Sequence, residues 1–329
     1  MSTSAPRRTL GRPGLDVFPL ALGCMGMSRM YGHADEAESI ATIHAALERG
    51  VDLLDTGDFY GMGHNELLIG KAIADRRGRA RLSVKFGALR SPDGGWIGVD
   101  GRPAAVKNFA SYSLQRLGVD HIDVYRLARL DPQVPIEETI GAIAELVKAG
   151  YVGHIGLSEV GVDTLRRAAT VHPIVDLQIE YSLVSRGPEA AILPALRELG
   201  IGVTAYGVLS RGLLSGSRPG PGDYRAYLPR FAGDNLERNQ RLVDTLAKIA
   251  SDRGVTPSQL AIAWVLGQWQ GIVPVIGART RAQLGEALGA LSITLGADEL
   301  AAIADAVPAE AIAGERYQPV MMQHLDSER

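Results

Sequence analysis

Short apolar runs alternate with amphipathic helical segments along almost the whole chain, and no other feature narrows the fold as far. The runs are PLALG (19 to 23), DLLDT (52 to 56), LSVKF (82 to 86), IDVYRLA (122 to 128), GHIGLS (153 to 158), DLQIEY (176 to 181), IGVTAY (201 to 206) and IVPVIG (272 to 277). Each has the length of a strand. Between them lie helical segments such as EAESIATIHAALERG, where Ile40, Ile43 and Leu47 share a face, and IEETIGAIAELVKAG, where Ile140, Ile143 and Val147 do the same. Gly50, Gly118, Gly150 and Gly200 stop these helices in the manner of left-handed C-caps. Eight strands each followed by a helix predict an α/β fold, a parallel (β/α)8 TIM barrel. A doubly wound open sheet is the alternative, but no Gly-x-Gly-x-x-Gly follows the first strand. An N-terminal β-hairpin over residues 8 to 18, turning at Arg12-Pro13-Gly14, is expected to plug the barrel's bottom, and an extended C-terminal tail follows the last helix.

No linker, charge block or low-complexity run divides residues 10 to 300, so 1 to 329 reads as one barrel domain. The one Gly/Pro-rich stretch, SGSRPGPGDYRAYLP (215 to 229), lies inside the continuous pattern. A formal charge of −3 offers no attraction to nucleic acid or an anionic membrane, which favours a small-molecule partner. The start, MSTSAPRRTLGRPG, has two arginines but no apolar segment of signal-peptide type behind them. A single cysteine, Cys24, excludes an internal disulfide and agrees with a cytoplasmic location; it reads as a small buried residue.

In a barrel of this kind chemistry belongs to the C-terminal ends of the strands. Those ends carry Asp55 with Tyr60 just beyond it, Lys85, Ser158 with Glu159, Gln178, and Tyr206. A lysine inside LSVKFG is the oddest of them, because burying an ammonium is costly without a partner, and Asp55 on the adjacent strand offers one. Singly, each has a plainer reading: Asp55 as a cap, Lys85 reaching out to solvent, Tyr60 as packing. Their conjunction is harder to explain in these terms.

These residues resemble the aldo-keto reductases over nearly the whole chain. LLDTGDFYGMGHNELLIGKAI is similar to that family's Asp-Thr-x-x-x-Tyr-Gly signature, HIGLSE to its mid-chain signature, and AYGVLSRGLLSG and VIGARTRAQLGEALGAL to its cofactor segments. The resemblance implies NADPH-dependent reduction of a carbonyl, or oxidation of the alcohol in reverse, with Asp55, Tyr60 and Lys85 catalytic and Tyr60 the general acid. It places Gly23, Cys24, Met25, Asp55, Ser158, Gln178 and Tyr206 against the cofactor, Ser158 and Gln178 at its carboxamide and Tyr206 stacked on its ring. Gly207, Leu209, Ser210, Arg211 and Gly212 fall on the pyrophosphate path, and Gly277, Ala278, Arg279, Gln283 and Glu286 at the adenosine end. Arg279 would meet a 2′-phosphate, which favours NADPH over NADH. No metal is expected, since no histidine pair or cysteine cluster has ligand spacing.

A phenol titrates near pH ~10, so donating a proton at neutral pH asks for a shift of roughly 3 units, about 4 kcal/mol. One ammonium about 4 Å away at an effective dielectric near 20 supplies that much, and Lys85 is expected to do so. The resembling pattern departs at one place: where the family usually has histidine, in Leu-His-Arg, this chain reads Leu127-Ala128-Arg129. Losing one such donor typically costs about 10²- to 10³-fold in rate. Of the seven histidines, His121, His154 and His172 belong to the wrong end of the barrel and His44 to an outer helix, while His64 reads as structural; His33 and His324 remain. Arg126 shares the parity of Ala128, although a solvent-facing or interface arginine is the simpler expectation.

The substrate pocket is expected to include Tyr60, Ala128 and Trp96, the last on the loop SPDGGWIGVDGRP, together with the tail from Tyr317 to His324. Two other classes compete with the reductase. A weakly catalytic NADPH-binding sensor would keep the cofactor residues and tolerate Ala128, and a Schiff-base lyase would use Lys85 as nucleophile but have no use for the carboxamide clamp.

Overall fold

The computed structural model describes residues 6–28, 31–220 and 223–329. The first five residues and Pro221-Gly222 of the glycine- and proline-rich stretch lie outside them. A two-stranded antiparallel hairpin, β1 (Arg8–Leu10) and β2 (Leu15–Val17), comes first. Then follow β3 (Ala21–Gly23), β4 (Leu53–Gly57), β5 (Arg81–Phe86), a second hairpin of β6 (Ala88–Arg90) and β7 (Trp96–Val99), and β8 (Ile122–Leu127). The remaining strands are β9 (Val152–Ser158), β10 (Ile174–Glu180), β11 (Gly202–Tyr206) and β12 (Ile272–Gly277). All eight apolar runs become barrel strands, and they close in the order β3, β4, β5, β8, β9, β10, β11, β12, every pair parallel.

The outer layer is α1 (Glu36–Glu48), α2 (His64–Ile73), α3 (Pro103–Leu117), α4 (Ile136–Lys148), α5 (Val162–Val171), α6 (Ile192–Leu199), α7 (Asp234–Asp252), α8 (Pro257–Gln268), α9 (Arg281–Leu288) and α10 (Ala297–Ala306). Local chemistry fixes their ends. Asp35 caps α1 by accepting from the Glu38 amide, Thr256 and Gln259 form a reciprocal capping box on α8, and Gly118 and Gly200 close α3 and α6 with left-handed φ of 67° and 66°. Ile43, Leu47, Ile140, Ile143 and Trp264 bury the helices on the outside of the sheet.

The inside of the barrel is filled in two different ways. Its lower half is apolar: Leu10 and Val17 of the hairpin pack against Leu53, Val124, Val175 and Val273. Arg8 ties the plug in place by donating to the carbonyls of Leu266 and Trp269 at 2.7 and 3.1 Å and to that of Ile272. Burial lowers its pKa to about 10, still far enough above neutrality to keep the guanidinium charged. At Gly11 the φ is +60°, and a Cβ there would run into the carbonyl of Val175, so the hairpin turn accepts no side chain. With the bottom closed by the hairpin, the polar residues of the barrel gather at the C-terminal rim. Truncating the fully buried Leu10 to Ala should cost about 2 to 5 kcal/mol through lost burial and the cavity left behind. Urea denaturation will read the loss, with the far-ultraviolet circular dichroism of the folded variant unchanged; a loss under about 1 kcal/mol would mean that the plug is not part of the cooperative core.

Candidate active site

Strand register brings the expected residues to one rim. Asp55 pairs with Ser83 and Gly57 with Lys85 between β4 and β5, so alternation turns Asp55, Ser83 and Lys85 to the same side. Gln178 stands beside Ser158 and Thr204 on the neighbouring strands, and Gly23 lies between Gly277 and Asp55 across the closing seam. The Lys85 Nζ donates to Asp55 Oδ2 at 2.6 Å, and the Ser83 hydroxyl and Gln178 amide donate to Oδ1 at 2.9 and 2.8 Å. Burial works to raise the Asp55 pKa, but Lys85, Arg126 and these hydrogen bonds outweigh it and hold the carboxyl below its ordinary value. Burial prevails for Lys85 and pulls it below its usual range against the attraction of Asp55. Tyr60, in the turn after β4, is 8% exposed, with its ring centroid 5.2 Å from the Lys85 Nζ.

Two expectations need correction here. Arg126 faces neither solvent nor an interface: it is wholly buried inside the barrel, where Nη2 donates to both oxygens of Asp176 at 2.9 and 2.8 Å and Nη1 to Thr204 at 3.1 Å. Its other nearby acid is Asp55, at 3.8 Å. Nor does Lys85 lower the Tyr60 phenol. Burial, then the negative charge of Asp55, push it well above 10, with Arg129 pulling the other way. Lys85 makes its hydrogen bond to Asp55, and Tyr60 stays protonated at neutral pH.

The residues expected to line the cofactor path lie on the same rim. Ser158 and Ala278 are each 1% exposed, Cys24 is buried with its thiol pushed up by burial, and Tyr206, Gly207, Leu209, Arg211 and Gly212 are half-buried. Met25 and Gly277 flank the seam between β3 and β12. After β11 the chain takes left-handed backbone at Gly207, Ser210, Arg211 and Gly212, with φ of 65°, 46°, 56° and 93°. Two of these are not glycine and carry strain of order 1 kcal/mol each, the mark of a turn kept for its shape. Arg279 donates to the carbonyls of Tyr31 and His33 at 2.8 and 3.3 Å, while Gln283 accepts from the Arg279 amide and Glu286 from the Thr256 hydroxyl. Ala128 is buried, and its amide continues the ladder to Phe86. Trp96 stands in β7 between the Arg90 guanidinium, 5.5 Å from its ring, and the His324 ring at 5.7 Å.

The histidines fall largely as the sequence suggests. His154 and His172 line a cleft at the opposite, lower face beside Arg12, His44 bonds the Ala72 carbonyl on the outside, and His64 meets the Ser28 hydroxyl at 2.9 Å in a structural contact. His121 pairs with Asp120 and Arg77.

A family model described as the aldo/keto reductase family matches residues 19–308. The chain belongs to the aldo/keto reductase family. It is 40% identical over 317 residues to a probable aldo-keto reductase 1 of Glycine max, covering 94% of this chain and 90% of that one. Among solved structures, a glycerol dehydrogenase from Gluconobacter oxydans superposes with a TM-score of 0.84 at 29% identity, covering 96% of this chain and 98% of the other. An aldo/keto reductase from Klebsiella pneumoniae, solved with NADP and acetate, gives a TM-score of 0.73 at 25% identity over 95% and 99% of the two chains. The family consists of NADP(H)-dependent oxidoreductases.

What sequence reasoning missed in this reductase is mostly long-range. The tail docks on the rim through Arg316, which donates to both oxygens of Glu159 at 2.9 and 2.7 Å, and Glu159 also accepts from the Tyr206 and Ser327 hydroxyls. Burial would raise the Glu159 pKa, but Arg316 and Arg129 overcome it and hold it at about 2. Tyr317 places its hydroxyl 3.0 Å from that of Tyr206 and its ring 4.4 Å from the Arg211 guanidinium. Local motif reading has no signal for such pairs, because the two halves of the Arg316–Glu159 contact lie 157 residues apart.

Two more acids sit behind the turn that carries Tyr60. Asp58 and Glu66 are buried with one oxygen each unbonded, and burial, reinforced by Glu66, raises Asp58 to about 8 against the pull of Arg116. Folded protein therefore holds a proton on Asp58 up to about pH 8, whereas the unfolded chain releases it near pH ~4. The folded state binds the extra proton between those values, so stability falls as pH rises across that window. Asp58→Asn should match the parent below pH ~4 and gain on it up to pH ~8, reaching roughly 3 to 6 kcal/mol. Chemical denaturation at several pH values will show this, and a pH-independent difference would mean that Asp58 is ionised in the folded protein.

Proposed function

We propose that this reductase uses NADPH to reduce an aldehyde or ketone, or oxidises the alcohol in reverse, with Tyr60 as general acid, Lys85 beside it and Asp55 fixing Lys85. The observation that carries the reading is the buried Asp55–Lys85 pair under the ring of a protonated Tyr60 at the rim of a closed barrel.

The residues present fit the cofactor. Ser158 is buried, yet its hydroxyl bonds no other described residue, and Gln178 spends its amide protons on Asp55 and Thr204 while its carbonyl oxygen has no donor among the described residues. A carboxamide, with two donors and one acceptor, satisfies both. The left-handed turn from Gly207 to Gly212 presents backbone amides of the kind that cradle phosphate oxygens, and Arg279 is a guanidinium with no carboxylate partner among the described residues. When bound, NADPH supplies hydride to the carbonyl carbon.

The protein's part is the proton. A phenol held above its ordinary pKa is a poor donor to a neutral carbonyl, but it becomes a competent one as negative charge builds on the oxygen during hydride arrival. The phenolate left behind lies next to the Lys85 ammonium, and Asp55 keeps that lysine in place and protonated. With Ala128 supplying no donor, polarisation of the carbonyl rests on Tyr60 and on the substrate's own electronics. Electron-poor carbonyls are therefore the favoured substrates.

Tyr60→Phe should lower turnover of an activated aldehyde at least about 10²-fold while leaving NADPH affinity intact. Steady-state NADPH oxidation and cofactor fluorescence titration measure the two, and unchanged turnover would move the proton donor elsewhere. The parent should bind NADPH more tightly than NADH. Arg279→Ala should remove about 1.5 to 3 kcal/mol of that preference, the worth of a charge-assisted contact to the 2′-phosphate. Equal affinity of the parent for both cofactors would overturn the assignment.

A further inference from the structure

Arginines crowd the rim, and most have an acid. Arg126 pairs with Asp176, Arg211 and Arg230 with Glu180, Arg225 with Asp223, and Arg316 with Glu159. Two beside the catalytic tyrosine do not. Arg129 follows Ala128 at the end of β8; it is half-buried, and its one hydrogen bond within the described residues runs from Nη1 to the Ala128 carbonyl at 2.6 Å. Its charge is close enough to bear on both Tyr60 and Lys85. The carboxylate that also bears on it, Glu159, is already taken by Arg316 through two bonds.

Arg90 ends β6, directly beyond β5, the strand that neighbours β8, so both arginines rise from the same sector of the rim. Its guanidinium lies between two aromatic rings, 5.6 Å from that of Phe59 and 5.5 Å from that of Trp96, and its one hydrogen bond among the described residues is a long contact of 3.4 Å to the Gly94 carbonyl. Phe59 packs edge-on against Tyr60 at 4.8 Å. Burying a guanidinium without a paired carboxylate is unfavourable: burial lowers the Arg90 pKa, while at Arg129 burial is outweighed by Tyr206, Tyr317 and Glu159, which raise it. Holding two of them beside the acid that protonates the substrate makes sense when the substrate brings the missing charge.

We propose that the substrate is a carboxylate-bearing aldehyde or ketone whose acid group is held by Arg129 and Arg90 while its carbonyl oxygen faces Tyr60. The inference rests on the carbonyl-reductase reading above. Two guanidiniums, one of them sandwiched between rings, present planar donors to a planar carboxylate. The residue before Arg129 is an alanine, which puts no bulky side chain next to that anchor. The acid group makes and breaks no bond: hydride from NADPH goes to the carbonyl carbon, the proton from Tyr60 to its oxygen, and the products are the hydroxy acid and NADP+.

The test compares 4-formylbenzoate with its methyl ester. The parent should favour the acid by about tenfold or more in kcat/KM, chiefly through KM, the order of a charge-assisted contact. Arg129→Met and Arg90→Met should each shrink the acid-to-ester ratio by about fivefold, the double variant should bring it near unity, and Arg129→Lys should retain part of it. A ratio at or below one in the parent, or one untouched by the variants, overturns the proposal. So does an Arg129→Met variant whose loss is in NADPH affinity instead, which would assign that arginine to the cofactor. Calorimetry with 4-methylbenzoate and the NADP+ complex separates the two readings. Arginine-dependent binding of this acid by a protein that reduces neither aldehyde would sink the reductase function and keep the anion site; no binding by a protein that reduces the ester would do the reverse.

Discussion

Asp55 is a carboxylate that the barrel has taken out of water, and the donors that compensate it come from around the ring. Lys85 and Ser83 reach it from β5, Gln178 from β10, and Arg126 approaches from β8. One residue on β4 is therefore tied across the lumen to the far wall. Arg126 carries the connection on to Asp176 and Thr204, so two cations and two carboxylates form one balanced layer above the apolar plug. A half-satisfied network of this kind would be worse than an apolar core, whereas a nearly complete one is rigid. Rigidity at this level holds Lys85 under Tyr60 without any help from loops.

At the end of β8 an alanine and an arginine stand side by side. Ala128 places a methyl group in this region, and Arg129, the residue after it, brings a permanent cation close enough to bear on Tyr60. Histidine changes charge near neutral pH and arginine does not. Of the pair, only the arginine stands here, so the charge this segment sets beside Tyr60 does not switch near neutral pH.

Much of this was legible in the primary structure because a parallel barrel converts sequence position into spatial position. Every strand delivers its last inward residue to one rim, so Asp55, Lys85, Ser158, Gln178 and Tyr206 converge although they span 152 residues of chain, roughly the size of a whole small domain. The glycines closing α3 and α6 were readable for the same reason: their requirement is local. What escaped were charges whose burial is made tolerable by distant partners. Arg126 looked like a surface residue because nothing near it in sequence neutralises it; Asp176 does so from the first half of β10. The direction of the Tyr60 shift escaped too, since a pairwise view credited Lys85 to the phenol, whereas geometry commits it to Asp55. Arg129 was visible only as the neighbour of an absent histidine.

The seam that closes the barrel has a bearing on how the chain is made. β3 finds its second neighbour only in β12, through the pairs Ala21 with Val275 and Gly23 with Gly277, and Arg8 reaches the carbonyl of Ile272 across 264 residues of sequence. During synthesis from the N-terminus, these first segments wait for nearly the last before either can be satisfied. Contacts that distant are entropically slow to form, and an unpaired strand edge is a template for association with other chains. A β3 of three residues, Ala21–Gly23, with Pro19 two positions before it, presents very little of such an edge. The shortest strand of the barrel is thus the one that must stand open longest, which limits self-association while the rest of the polypeptide is still being built.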